Sequence, residues 1–194
     1  MSARDAPVPA DQRSRVERAR QGDHECFALL ARGAVRRLHG GAYAILRDQH
    51  LAEDAVQEAL VRAWRDLPGL RDPDKFDAWL HRMLVHACID LVRRRRRQVT
   101  EVRLEWTDGP SRVDISSELA DREALDAALR ALDPKRRALV VGHVMLGMPV
   151  PDLAAALGIP LGSAKSGLHR ALASMRLEID DERAGVGKPA GELR

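Results

Sequence analysis

Aromatic residues are scarce in this sequence: three Trp, two Phe and one Tyr amount to 3% of the 194 residues. Apolar residues as a whole still reach 45%, which is enough to bury a core. Such a core must be built from Leu, Ala and Val, a composition typical of helical proteins. The alternation of apolar and polar residues that marks half-buried strands is also missing, so we predict an all-α fold.

Cysteines and long apolar runs are equally few. Cys26 and Cys88 lie far apart among apolar neighbours, which predicts two buried free thiols and not a disulfide framework. No apolar run approaches the roughly 20 residues that a membrane span needs, and the N-terminus has no apolar signal core. We therefore expect a soluble cytoplasmic protein with no membrane partner.

Motifs for catalysis or metal binding are absent from the sequence. The seven histidines show no H-E-x-x-H spacing, the cysteines form no C-x-x-C pair, and there is no G-x-S-x-G elbow. The stretch "GIPLGSAKS" has the look of a phosphate-binding loop, but Ser163 stands where a glycine is required and Lys165 does not follow a glycine. The sequence therefore predicts no enzyme, no metal site and no cofactor.

Charge is clustered along the chain, although the formal net charge is only +3. Residues 73–97 carry seven cations against three carboxylates, a net +4, and residues 134–176 carry six against one, a net +5. Residues 98–133 between them carry four arginines against nine carboxylates, a net −5. The chain therefore consists of two basic modules joined by an acidic segment, and any basic binding surface must come from these clusters.

The N-terminal half follows helical spacing. In "LAEDAVQEALVRAWRDL", residues 51–67, Leu and Ala recur on one face while carboxylates occupy the other. Asp23 is a suitable N-cap for the preceding helix, in which Gly40-Gly41 marks the expected place for a kink or break. Pro73 fits the start of the next helix, whose apolar stripe begins at Phe76 and whose end is a run of five arginines.

The second basic module contains a helix-turn-helix pattern. Asp133-Pro134 predicts a helix start, and residues 152–157 predict a short helix that ends in the tight turn 158–160. A second helix from about Leu161 exposes short hydroxyls and cations, which suit phosphates and base edges. The residues of this module expected to face inward are Leu153, Ala154, Leu157, Ala164, Leu168, Ala171 and Met175.

Two sets of motifs resemble those of the extracytoplasmic-function group of sigma factors, the small initiation subunits of bacterial RNA polymerase. Leu132, Pro134 and Arg137, followed by "GIPLGSAKSGLHRA", are similar to region 4 of this family, and "AEDAVQEALVRAW" with "FDAWLHRMLVHACIDLVRRRRR" is similar to region 2. The resemblance covers roughly residues 20–177. It implies two small helical domains joined by a flexible acidic linker: a disordered N-terminus (1–10), region 2 (11–97), the linker (98–116), region 4 (117–180) and a disordered tail (181–194).

The resemblance also implies which residues bind. Core RNA polymerase would be contacted by Asp54, Gln57 and Glu58. Promoter DNA at the −10 element would be bound and melted by Phe76, Trp79, Arg82, His86, Arg93, Arg94, Arg95, Arg96 and Arg97. The −35 element would be contacted by Arg136, Arg137, Ser163, Lys165, Ser166, His169 and Arg170. An anti-sigma factor is a further expected partner of such a protein.

Alternatives to these assignments stay open at the level of sequence. Phe76 also lies on a core stripe, and the acidic face of residues 51–67 and the arginine run can each be ordinary solvated surface. His86, Pro149 and Gly167 depart from the family pattern, and Gly167 is expected to remove a contact from the recognition helix. The main rival function is a free-standing helix-turn-helix regulator, which leaves residues 51–67 unexplained.

Overall fold

The computed structural model describes residues 10–101 and 117–186, and these residues form an all-α structure, as predicted. Within them, eight α-helices and two 3₁₀ turns account for the regular structure, and there is no strand. The helices are α1 (Ala10–Arg20), α2 (His24–Leu46), α3 (Gln49–Asp66), α4 (Phe76–Glu101), α5 (Ser117–Arg130), α6 (Pro134–Val144), α7 (Val150–Leu157) and α8 (Leu161–Val186). The 3₁₀ turns, Leu67–Gly69 and Pro73–Lys75, join α3 to α4.

Helices α1 to α4 form the N-terminal unit, in which α3 packs against both α2 and α4. The fully buried side chains of α3 are all small, which lets its neighbours approach closely because interaxial distance depends on the side chains at the contact. Larger apolar residues of α2 and α4, among them Leu38, Ile45, Leu80 and Leu84, fill the space around it. The fully buried small residues of α3 are Ala52, Ala55, Ala59 and Ala63.

Aspartates fix where three of the helices begin. Asp23, Asp48 and Asp133 each have an extended backbone, and their carboxylates accept backbone N–H groups of α2, α3 and α6 respectively. Such a cap satisfies donors that the first helical turn leaves without a partner. The predicted caps at Asp23 and Asp133 are confirmed, and Asp48, which precedes the acidic face of α3, is a third cap.

Helices α5 to α8 form the C-terminal unit, which contains the predicted helix-turn-helix. Helix α7 ends at Gly158, whose φ of 62° lies in the left-handed region that glycine tolerates best. Half-buried Ile159 follows in the turn, and α8 begins at Leu161. All the residues expected to face inward are buried: Leu153, Ala154, Leu157, Ala164, Leu168, Ala171 and Met175.

Three helix extents differ from the sequence-based expectation. Helix α2 passes through Gly40-Gly41 without interruption. Helix α4 continues to Glu101, four residues into the expected linker, because nothing in 98–101 breaks a helix. Helix α8 continues to Val186, so residues 181–186 are helical and do not belong to a disordered tail. The remaining linker (102–116) and the two outermost segments (1–9 and 187–194) lie outside the described residues.

The two units share one core, in which α2 and α4 contact α6 and α7. Gly41 lies at this interface, since a Cβ placed on it would lie 3.1 Å from Leu146 Cδ2 of the C-terminal unit. Gly41, one of the two glycines expected to weaken α2, is therefore a packing residue, whereas a Cβ on Gly40 would meet nothing within 4 Å. Within residues 10–101 and 117–186, no helix is both long enough and apolar enough to cross a membrane.

Candidate nucleic-acid interface

The exposed face of α8 carries the predicted hydroxyls and cations. Ser163, Lys165, Ser166, His169 and Arg170 are all exposed on the helix, which is held by its buried face. The Ser166 hydroxyl donates to the Ser163 carbonyl over 3.2 Å, and Arg170 Nε donates to the Ser166 carbonyl over 3.3 Å. No Asp or Glu occurs from Leu161 to Leu177. A rigid helix face with donors and no carboxylate suits a phosphate backbone and the base edges beside it.

Gly167 is a packing residue of α8 and not a lost DNA contact, which corrects the expectation from sequence. It faces α6, and a Cβ placed on it would lie 3.0 Å from Leu139 Cδ1. The residue that the family pattern places here would therefore point into the core of this protein and not toward DNA. The close approach of α6 explains why glycine is accepted in a helix interior, where it normally costs about 1 kcal/mol.

The two arginines of α6 have different surroundings. Arg136 is exposed, and its Nε lies 3.3 Å from Asp133, the residue that caps the helix. Arg137 is only 4% exposed, because its position in α6 faces the neighbouring helices. Arg137, which was assigned to the −35 element, therefore does not lie on an accessible surface in this structure, while Arg136 does.

The arginine run at the end of α4 contacts both units. Arg93 Nη2 donates to the carbonyl of Leu157 over 3.2 Å, at the C-terminal end of α7, where helix carbonyls lack intrahelical partners and favour a cation. Arg94 Nη2 donates to Glu58 Oε1 over 2.8 Å, and Arg95 Nη1 donates to Asp48 Oδ2 over 3.1 Å. Arg96 and Arg97 are exposed. The run is thus partly engaged within the molecule.

These contacts change the protonation equilibria of the acids and bases involved. Hydrogen bonding to Glu58, followed by its charge, raises the pKa of the Arg94 guanidinium. Burial alone would raise the pKa of the Asp48 carboxyl, but the Leu51 N–H and Arg95 together hold it below its usual value. Asp48 therefore remains charged while it caps α3 and binds Arg95.

The acidic face of α3 divides into an exposed part and a paired part. Asp54 and Gln57 are exposed, as expected of residues that receive a basic partner. Glu58 is half-buried and pairs with both Arg62 and Arg94, and Arg62 also lies 3.3 Å from Asp90 of α4. Sequence reasoning missed Arg62, although its i, i+4 spacing from Glu58 was a readable signal.

The predicted −10 residues on α4 fall into buried and accessible groups. Phe76 is 1% exposed and belongs to the core, so its assignment as a base-stacking residue is wrong for this structure. Trp79 is half-buried, with its ring centroid 6.1 Å from that of Phe76, and Arg82 is also half-buried. His86 is exposed, and desolvation together with the charges of nearby arginines lowers its pKa against the opposing charge of Asp90.

Comparison with known proteins identifies the family. The sigma-70 region 2 model matches residues 30–98, and the sigma-70 region 4 model matches residues 122–175. The extracytoplasmic-function (ECF) RNA polymerase sigma factor SigM of Mycobacterium tuberculosis is 34% identical over 165 residues, which cover 85% of this chain and 83% of SigM. The chain therefore belongs to the sigma-70 family, within its extracytoplasmic-function group.

Two further likenesses complete the comparison. The ECF RNA polymerase sigma factor SigE of Mycolicibacterium smegmatis is 34% identical over 152 residues, which cover 76% of this chain but only 59% of that relative. In a solved complex of the sigma factor RpoE with the anti-sigma factor NepR from Bartonella quintana, the matching chain is 22% identical. It superposes with a TM-score of 0.60 over 78% of this chain and 93% of its own, a likeness of fold alone.

Proposed function

We propose that this chain binds core RNA polymerase and directs it to promoters, with α8 contacting the −35 element and α4 binding and melting the −10 element. The observation that carries the proposal is the face of α8, where a helix-turn-helix fixed by its own core displays Ser163, Lys165 and Arg170 without a neighbouring carboxylate. Phosphate contacts would set the register of the helix, and contacts to base edges would select the sequence.

Polymerase binding would use the exposed residues Asp54 and Gln57 of α3, together with Glu58 when it exchanges its intramolecular arginine partners. The face has no cation from residue 48 to residue 58, so it suits a basic surface of the polymerase. This role is consistent with an anti-sigma factor as a further partner. It is also consistent with a location in the cytoplasm. The chain itself would perform no catalysis, since the polymerase carries out the chemistry.

The first test mixes the purified full chain with bacterial core RNA polymerase and follows co-elution on size exclusion at low and high salt. We expect co-elution by the wild type and reduced co-elution by Asp54→Lys. Glu25→Lys, the same charge change at an exposed residue of α2, is the matched control and should bind normally. If the chain does not co-elute with core polymerase but binds duplex DNA by itself in a mobility-shift assay, the free-standing regulator is the better assignment.

The second test concerns DNA recognition by the polymerase complex. Lys165→Ala and Arg170→Ala should each weaken binding to a −35-containing promoter by about 1–3 kcal/mol if the side chain contacts a base edge. Arg176→Ala, an exposed cation farther along α8, is the control for general loss of positive charge. Equal effects of all three substitutions would argue against sequence reading by the first turns of α8.

A further inference from the structure

The beginning of α4 has two sides with different surroundings. Trp79, Arg82 and His86 recur at helical spacing and form the −10 face, the side proposed to meet the −10 element. Asp77 and His81 are four residues apart, and at about 100° per residue they lie on the opposite side of the helix, its rear side. A contact that holds the rear side therefore determines where the −10 face points.

Arg37 of α2 binds both residues of the rear side through one edge of its guanidinium. Its Nη2 donates to Asp77 Oδ1 over 2.9 Å, and its Nε donates to His81 Nε2 over 3.1 Å. These two N–H groups belong to a planar, rigid fork, so the fork fixes the position of both acceptors relative to α2. A lysine has the same charge but lacks this geometry.

The two acceptors on α4 suit the fork. Burial, followed by the charge of Arg37 and opposed by that of Asp77, lowers the pKa of His81 to about 4, so the ring is neutral and Nε2 can accept. Asp77 lies in the first turn of α4, where the helix dipole favours a carboxylate. Its other oxygen, Oδ2, accepts from Gln12 Nε2 of α1 over 3.2 Å. Helices α1 and α2 therefore both hold the rear side of α4.

Arg37 contributes orientation more than stability. The side chains of Arg37 and Asp77 are 47% and 41% exposed, and water screens an ion pair of that exposure, so the pair adds little to the free energy of unfolding. Leu80 and Leu84 are fully buried and already hold α4 against its neighbours. Apolar contacts are non-directional, whereas hydrogen bonds have preferred angles, so the fork adds a defined rotation to packing that the core supplies.

We infer that Arg37 is a positioning residue for −10 recognition, because it fixes the angle at which α4 presents Trp79 and Arg82 to promoter DNA. Arg37 acts through α4 and not by touching the DNA. The inference rests on the proposed function, since the −10 face has a task only if α4 binds the promoter. Residues that contact a ligand bind it less well when the contacts that hold them are lost.

The first test removes the fork and keeps the charge. With core polymerase and the full chain, Arg37→Lys should slow promoter opening about tenfold, measured as permanganate reactivity over time. Co-elution with core polymerase and the midpoint of urea denaturation should stay at their wild-type values. Arg36→Lys, the same change at an exposed neighbour on α2, is the matched control and should open the promoter at the wild-type rate.

Variants of Asp77 separate geometry from charge. Asp77→Asn keeps an oxygen that can accept from Arg37 and should retain most of the opening rate, whereas Asp77→Ala should be about as slow as Arg37→Lys. Because Arg37→Lys and Asp77→Ala break the same contact, the double variant should be little slower than either single variant. Multiplicative defects in the double variant would show that the two residues act separately, and would overturn the inference.

Hydrogen exchange in the isolated full chain tests the same contact without polymerase. Amides of residues 76–83 should exchange faster in Arg37→Lys than in the wild type, while the other helices are unchanged. Unchanged exchange at 76–83, or a wild-type opening rate in Arg37→Lys, would contradict the inference. A parallel loss of stability and of core binding would also contradict it, since Arg37 would then serve the fold.

Failure of the wild type to bind core polymerase or to open the promoter would instead reject the proposed function. Hydrogen exchange at residues 76–83 would then still decide whether Arg37 holds the start of α4.

Discussion

At the scale of single residues, substitution of Gly167 tests whether this position serves helix packing or DNA binding. Gly167→Arg should lower the free energy of unfolding by about 1–3 kcal/mol, because a side chain there meets Leu139 of α6. Urea denaturation measures the change. Gly162→Arg is the matched control, since nothing lies within 4 Å of a Cβ at that glycine. Tighter promoter binding by Gly167→Arg with unaltered stability would contradict the packing role.

Phe76 and Trp79 are neighbouring aromatic residues of α4, and substitutions can separate core packing from base stacking. Phe76→Ala should cost about 3–5 kcal/mol of stability, because the ring is fully buried. Phe76→Leu retains an apolar side chain and should keep promoter opening, whereas Trp79→Leu should reduce it if the half-buried indole stacks on an unpaired base. Stability from thermal unfolding and opening from permanganate reactivity are the two measurements. If a stable Phe76→Leu protein no longer opened the promoter, Phe76 would have a direct role in binding the melted DNA.

At the scale of the helix, the arginines at the end of α4 differ in whether an intramolecular carboxylate already holds them. Arg97 is exposed, whereas Arg94 is held by Glu58. Arg97→Ala should therefore reduce the slope of log affinity against log salt by about 0.9, the value for one phosphate contact. Arg94→Ala should reduce it by less. Titration of promoter binding at several salt concentrations measures both slopes, and a larger effect of Arg94→Ala would show that the pair with Glu58 opens on DNA.

Most elements could be predicted from local signals. Apolar spacing and aspartate caps gave α3, α6 and the helix-turn-helix, because each depends on residues a few positions apart. The places of Arg137 and Gly167 in the packing could not be predicted, because they depend on which helix lies opposite. The burial of Phe76 favours the core alternative that its apolar stripe had left open. Gly41 shows the same limit: its helix propensity indicated a break, while contact with Leu146, over a hundred residues away, gives it a packing role.

At the scale of the whole molecule, His81 links the packing of the two units to pH, because it is buried in α4 and hydrogen-bonds to the backbone of Leu146 in the C-terminal unit. Burial, followed by the charge of Arg37 and opposed by Asp77, lowers the pKa of His81 from 6.5 to about 4. The unfolded chain therefore binds more protons between these values, and stability rises with pH through this window. Lowering the pH from 7.5 to 5.5 should cost about 1 kcal/mol through this residue.

Urea denaturation of the wild type and of His81→Gln at both pH values isolates this contribution. Glutamine has no proton to gain, so the pH dependence of the variant should be smaller by the contribution of His81. Equal pH dependence in the two proteins would show that His81 does not titrate in this range.

The continuous core also determines how the chain loses its structure. Two units that share buried side chains unfold cooperatively, so calorimetry of the isolated protein should record one heat-absorption peak with matching calorimetric and van't Hoff enthalpies. A chain whose units have parted has two smaller cores and should melt in two steps. Separation of the two units would thus exchange one large cooperative structure for two small ones, each more accessible to proteases than the intact chain.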